Sequence, residues 1–269
     1  MNYFSCPVRK QIPFYLLLVT CLWLASCTTK APTAVTVPGA PIVMEGVLTT
    51  PAALFSPAQY HTVIHEVGPM ETIWRIAKTY DVDIQSIMRA NHLTDPNQIN
   101  TGQKLKIPDT RGMRPVIPLY KTRPWDYIVI HHTATEIGNA MFIDKTHHNR
   151  GFWDGLGYHF LIDNGSLGKL DGQIEISPRW VKQKDGAHCN VAGMNQHGIG
   201  IALVGNFSQE RVSKQQLDSL VFLTKVLMQY YKVPISHVMR HGEVPGKHTE
   251  CPGKHFPWNE FLSRLQKEG

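Results

Sequence analysis

The sequence predicts an α/β protein: a mixed central β-sheet flanked by helices, preceded by a small βααβ unit. Three observations lead there. Apolar runs, Tyr127-Ile128-Val129-Ile130 and Ile199-Gly200-Ile201-Ala202-Leu203-Val204, read as buried strands. Leu217, Leu220, Val221, Thr224, Leu227, Met228 and Tyr231 form one helix face, opened by a Ser213/Gln216 capping box and stopped by Pro234. A separate segment over 65–108 reads strand, helix, helix, strand. The 269 residues leave room for one sizeable domain and a smaller one. A composition 42% hydrophobic and 18% charged excludes a disordered chain and a multi-span membrane protein. The net charge of +6 suits an anionic polymer but forms no nucleic-acid-binding stripe, so no nucleic-acid partner is expected.

At the N-terminus, Arg9 and Lys10 precede an apolar stretch over 12–25, interrupted by Pro13 and Thr20 and too short for a comfortable transmembrane helix. It ends in Leu24-Ala25-Ser26-Cys27, which resembles the lipobox of bacterial lipoproteins. The resemblance implies a signal peptide over 1–26 and a membrane anchor through lipidated Cys27; the other reading is a plain secretory signal cut nearby. Thr28 in place of aspartate resembles the outer-membrane sorting signal of double-membrane bacteria, implying a chain that faces the periplasm. Residues 27–60 are rich in Pro, Thr and Ala, and Pro32, Pro38, Pro41, Pro51 and Pro57 predict an extended tether at roughly 3 Å per residue. Of five cysteines, Cys6 and Cys21 leave with the leader, so Cys189 and Cys251 remain beyond Cys27. In an oxidising compartment they could pair as a disulfide; alternatively Cys251 is a metal ligand.

In the segment from 61 to 108, Ile73, Ile76, Ala77 and Tyr80 recur at helical spacing, as do Ile84, Ile87 and Met88. Trp74, Ala77, Tyr80, Asn91, Gly102-Gln103 and the Leu105/Ile107 pair resemble a LysM domain, with Met70-Glu71-Thr72 where that family usually has Gly-Asp-Thr. The resemblance implies binding of N-acetylglucosamine-containing glycans between the strand–helix loops. Trp74 is expected in the core.

The larger domain, 113–269, begins with the strand at 127–130 and a helix over 141–150. Tyr158 to Asp163 reads as a strand that Asn164-Gly165 turns tightly into a second strand at Ser166-Leu167. His131 ends the first strand, and His241 and Cys251 lie ten residues apart. Donors of N, N and S type leave a tetrahedral zinc one open position, as in catalytic sites. No His-Glu-x-x-His helix is present.

Ile130-His131-His132-Thr133-Ala134-Thr135, Gly157-Tyr158-His159-Phe160, Gly186-Ala187-His188, Ile199-Gly200-Ile201 and the 241–252 loop together resemble the type 2 N-acetylmuramoyl-L-alanine amidase family, which includes phage amidases and animal peptidoglycan recognition proteins. The resemblance implies one zinc ion per chain on His131, His241 and Cys251. It also implies Tyr158 as a donor or orienter at the metal water or oxyanion, and Thr249 as a second donor. His188 is expected to touch substrate or to be structural, and His132 to pack beside the ligands. Glu243 and Glu250 are candidates for the base. His147, His148, His159, His237, His248 and His255 are read as surface or packing residues. The expected activity is cleavage of the amide between muramic acid and L-alanine in peptidoglycan. The alternative is a non-catalytic wall-binding lipoprotein tether, although silent family members lack the cysteine ligand.

Overall fold

A computed structural model describes residues 61–110, 112–152, 154–191 and 193–267, together with a strand at Ile42–Glu45. The leader, Cys27 and most of the expected tether lie outside the described residues. Within the tether, β1 (Ile42–Glu45) pairs antiparallel with β4 (Val116–Leu119), so this stretch contains an ordered strand.

The smaller unit is formed by β2 (His61–Glu66), α1 (Ile73–Tyr80), α2 (Ile84–Ala90) and β3 (Lys104–Thr110), with β2 and β3 antiparallel. Thr72 caps α1 by accepting from Arg75 N, and Asp83 caps α2 by accepting from Ser86 N. Ile73, Ile76, Ala77 and Tyr80 meet Ile87, Met88, Leu105 and Ile107 in its core. Trp74 is not part of that core: it is 41% exposed, because the inward stripe of α1 follows Ile73 and Ile76 and leaves position 74 on the outer side. Met70 adopts φ 56°, the left-handed region that glycine enters freely and an ordinary side chain enters at a cost of about 1 kcal/mol. Glu71 beside it accepts from Gly68 N and pairs with His65.

The larger domain holds a five-stranded sheet in the order β7-β6-β8-β5-β9, made by β5 (Tyr127–His132), β6 (Phe160–Asn164), β7 (Asp171–Ile176), β8 (Gly198–Leu203) and β9 (Val238–Arg240). Only β7 runs antiparallel. Strand side chains alternate between faces, and the two faces meet different partners. Ile128 and Ile130 pack with Phe160, Leu220, Leu227 and Phe261 against α6 (Lys214–Tyr231) and α7 (Trp258–Gln266). Val129 points into a separate cluster with Cys189 and Val244. On that side α3 (Ala140–Asn149) packs Ala140 and Ile143 over Leu161 and Ala202. Two short helices, α4 (Pro178–Val181) and α5 (Met194–His197), lie between β7 and β8 in the chain. The Ser213–Gln216 capping box forms as expected and opens α6.

The tight hairpin expected at Asn164-Gly165 is replaced by a longer connection, and β7 begins only at Asp171. Asn164 Nδ2 donates to Glu136 O, and Ser166 Oγ bonds both Gly138 N and Gly138 O. These side chains tie the connection to the loop before α3, while Asn164 still pairs with Asp171 across the β6/β7 ladder.

A buried charge group joins the two units. Lys169 Nζ lies 2.8 Å from Glu175 Oε2 and donates to Glu66 O at 3.2 Å, and Glu175 Oε1 accepts from Ala140 N at the start of α3. Asp163 is fully buried beside them, with neither carboxylate oxygen hydrogen-bonded. Burial, then the Glu175 charge, raises its pKa well above the usual carboxylate range. In the unfolded chain the same group ionises near pH 3.9. Above that pH the native state holds the extra proton, so this group's contribution to stability falls as pH rises toward its folded pKa. Replacing Asp163 with Asn removes the effect. In urea denaturation the stability of wild type relative to Asp163→Asn is expected to fall from pH 4 toward neutrality, by up to about 1.4 kcal/mol per pH unit. A difference that does not change with pH would contradict this account.

Candidate metal centre and active site

β5 and β9 are parallel neighbours with Ile130 opposite Arg240. The next residues along the two strands are His131 and His241, whose ring centroids stand 4.4 Å apart. Cys251 is brought in by the following loop. Gly242 N donates to Cys251 O at 2.9 Å, and the loop closes tightly enough that a Cβ on Gly242 would lie 2.2 Å from Thr249 O. Cys251 Sγ ends 3.4 Å from His132 N and 3.8 Å from His131 Nδ1. One ligand atom each from His131, His241 and Cys251 falls within 4.8 Å of the others. Tetrahedral zinc with bonds of about 2.0–2.3 Å needs donors roughly 3.5 Å apart, so the cluster needs little contraction to accept it. Among the described residues no carboxylate joins this group.

The hydrogen-bond inventory separates these residues from the other buried histidines. His159 accepts from Gly200 N and meets Lys184 O, and His147 accepts from Gly157 N. Among the described residues, His241 Nε2 is the one buried histidine nitrogen without a partner. An unpaired buried polar atom costs about 1–3 kcal/mol, and a cation at the cluster would relieve it. Imidazole and thiolate donors suit zinc. Cys189 and Cys251 are both free thiols, so the alternative disulfide is not formed.

Burial sets the charge states. It pushes His131 well below the ordinary histidine range, with His188 and His241 adding to the effect. It brings His241 down to about 4, helped by Lys247. Both rings are therefore neutral at pH 7, as metal ligands must be. Burial also pushes the Cys251 thiol up to about 12, against the opposing pull of the His132 N–H.

Tyr158 is half-buried, its ring 5.2 Å from that of His131 and 5.5 Å from that of His147. Burial, then Cys251, raises its pKa, so it remains a neutral phenol with a proton to donate. Thr249 is exposed, and its Oγ1 accepts from Cys251 N at 3.2 Å. His132 points to the other face of β5, where Nδ1 accepts from Phe207 N. Glu243 pairs with Arg240, and Glu250 accepts from Ser208 Oγ. His188 is buried, and both ring nitrogens are engaged, with His131 Nε2 at 3.0 Å and Gly198 O at 3.1 Å. Both ring nitrogens are thus engaged within the protein, a geometry that fits the structural reading of His188. His147, given no role from the sequence, holds the backbone before Tyr158 through Gly157 N. Nothing local in the sequence marks that contact, since it joins a helix to a loop ten residues away.

Metal loading must displace the Cys251 proton while both imidazoles are already unprotonated. Zinc titration of the metal-free chain at pH 7, run calorimetrically in buffers of different ionisation enthalpy, is expected to release about one proton per site. Binding without proton release would mean the thiol is not a ligand.

Residues 121–254 match the N-acetylmuramoyl-L-alanine amidase family (Amidase_2), and residues 65–108 match the LysM domain family. Peptidoglycan-recognition protein 2 of Holotrichia diomphalia is 33% identical over 108 residues, covering 37% of this chain and 52% of that protein. Peptidoglycan-recognition protein SA of Drosophila melanogaster is 31% identical over 124 residues, covering 43% and 56%. The chain thus spans about half the length of the curated relatives it matches. Among solved structures, the N-acetylmuramoyl-L-alanine amidase endolysin LysCS of Clostridium intestinale is 35% identical, covering 54% of this chain and 86% of that one, with a TM-score of 0.45. His131, Tyr158, His188, His241, Thr249 and Cys251 all lie inside the amidase match. Residues 121–254 therefore form a domain of the N-acetylmuramoyl-L-alanine amidase family, carried behind a LysM domain.

Proposed function

We propose that this chain is a zinc-dependent amidase that hydrolyses the bond between N-acetylmuramic acid and L-alanine in peptidoglycan, for wall remodelling or recycling. The observation that carries this reading is the cluster of buried His131, half-buried His241 and buried Cys251, with its orphaned imidazole nitrogen, inside the segment that matches the amidase family. Bound zinc supplies a water of lowered pKa and polarises the scissile carbonyl. The chain's own groups do the rest. Tyr158 presents a neutral O–H beside the His131 ring, suited to donating to developing negative charge on the carbonyl oxygen. Thr249, whose Oγ1 accepts from Cys251 N and is exposed, keeps its hydroxyl hydrogen available as a second donor. The His132 N–H holds the sulfur once it is a thiolate.

In this reading the LysM domain binds the glycan of the same polymer, and lipidated Cys27 anchors the chain to the outer membrane, facing the periplasm. The second reading, a non-catalytic wall-binding tether, has in its favour that the curated relatives are named as recognition proteins. The presence of Cys251 favours the enzyme.

Purified chain lacking residues 1–26, incubated with defined muropeptides, is expected to release free stem peptide and intact glycan by mass spectrometry. Chelation should abolish the release and added zinc restore it. Release that survives complete zinc removal would defeat the reading, whereas stoichiometric zinc with no cleavage would favour the tether. Tyr158→Phe is expected to keep its zinc and lose about 10²–10³-fold in kcat. Full turnover in that variant would remove the hydroxyl from the mechanism. Cys27→Ser is expected to shift the chain from the membrane to the soluble fraction on cell fractionation, and unchanged membrane retention would rule out the lipid anchor.

A further inference from the structure

We propose that His188 is a positioning residue for the metal centre, fixing the His131 ring in the tautomer that turns an unprotonated Nδ1 toward Cys251 and His241. The inference rests on the zinc reading of the site and adds a residue to it.

His188 sits in a slot built for a flat ring. A Cβ on Gly186 would lie 2.3 Å from His188 Cδ2, and one on Gly200 would lie 2.4 Å from the same atom. Those separations are too short for any side chain at either position, so both glycines are required by the ring between them. The backbone is pinned as well: Asn195 Oδ1 accepts from His188 N at 3.0 Å and from Cys189 N at 2.9 Å. Ala187 N donates to Gly157 O, next to Tyr158.

Within that slot the hydrogen-bond partners determine the protons. Gly198 O, 3.1 Å from His188 Nε2, can only accept, so Nε2 carries the hydrogen. The ring is buried with an imidazole and a carbonyl as its partners and no carboxylate to support a charge, so it is neutral and its Nδ1 accepts. His131 Nε2, 3.0 Å away, must then donate. A neutral His131 that carries its hydrogen on Nε2 has none on Nδ1, the nitrogen 3.8 Å from Cys251 Sγ. One main-chain carbonyl thus sets the tautomer of a metal ligand through two rings. Ligating histidines commonly have their second nitrogen held in this way, and loss of such a partner typically costs 10–100-fold in metal affinity.

The test begins with the metal-free full chain, because tautomers are read there without zinc or turnover. Two-bond ¹H–¹⁵N correlation spectra of the imidazoles are expected to show His131 protonated on Nε2 and bare on Nδ1. The reverse tautomer, or a mixture, overturns the proposal even if the chain proves to be an active amidase. His188→Ala is expected to weaken zinc binding 10–100-fold in chelator competition. His188→Asn, whose amide oxygen replaces the accepting Nδ1, is expected to recover affinity to within a few-fold of wild type. A raised KM with unchanged zinc affinity and unchanged His131 tautomer in His188→Ala would make His188 a substrate contact and refute the positioning role. If His188→Ala fails to fold, the wild-type spectrum and the Asn variant still decide the question. Failure of wild type to bind zinc at all defeats the amidase reading, and is a separate result from the tautomer.

Discussion

The parallel pairing of β5 with β9 is the constraint on which the site depends. It sets Ile130 opposite Arg240, so that His131 within β5 and His241 just past the end of β9 stand at the same level. A slip of one residue in that register would turn His131 to the α6 face and separate the two imidazoles. The sheet interior is apolar on both sides, with Ile128 and Ile130 on one face and Val129 on the other, and this holds the register. The closing loop then has a single task, to bring Cys251 back to the strand ends. It does so through Gly242, where only glycine lets Thr249 O approach.

Burial at this position has two opposite effects. It keeps His131 and His241 neutral and therefore ready to bind a cation, yet it holds the Cys251 thiol in its protonated form. A divalent ion reverses the second effect by supplying the charge that makes a thiolate favourable. Surrounding histidines such as His159 are satisfied by main-chain groups, in contrast with the orphaned His241 Nε2. The same logic of full satisfaction holds elsewhere, at Lys169 and Glu175 between the two units. Asp163 departs from it and retains a proton instead.

Much of this was legible in the residues because the signals were local. Apolar runs marked β5 and β8, the Ser213–Gln216 box marked the start of α6, and the spacing of Ile73, Ile76, Ala77 and Tyr80 marked α1. Trp74 was misread because an aromatic residue was weighed by type and not by its phase on the helix, which points it outward. The tight Asn164-Gly165 turn gives way to a longer loop between β6 and β7, whose side chains bond Glu136 and Gly138, distant in sequence. His188 could not be placed from sequence, since its role depends on which carbonyl lies behind it. Gly186 and Gly200 were the available trace of its slot, and they become meaningful only once the strands are paired.

The central claim is that one zinc ion is held by two imidazoles and one thiolate with a position left for water. Zinc-edge X-ray absorption of the purified chain tests it most directly. The account predicts one zinc per chain, with two nitrogen donors near 2.0–2.1 Å, one sulfur near 2.3 Å and a further light-atom oxygen. A shell without sulfur, or a second protein sulfur in place of the oxygen, would contradict it.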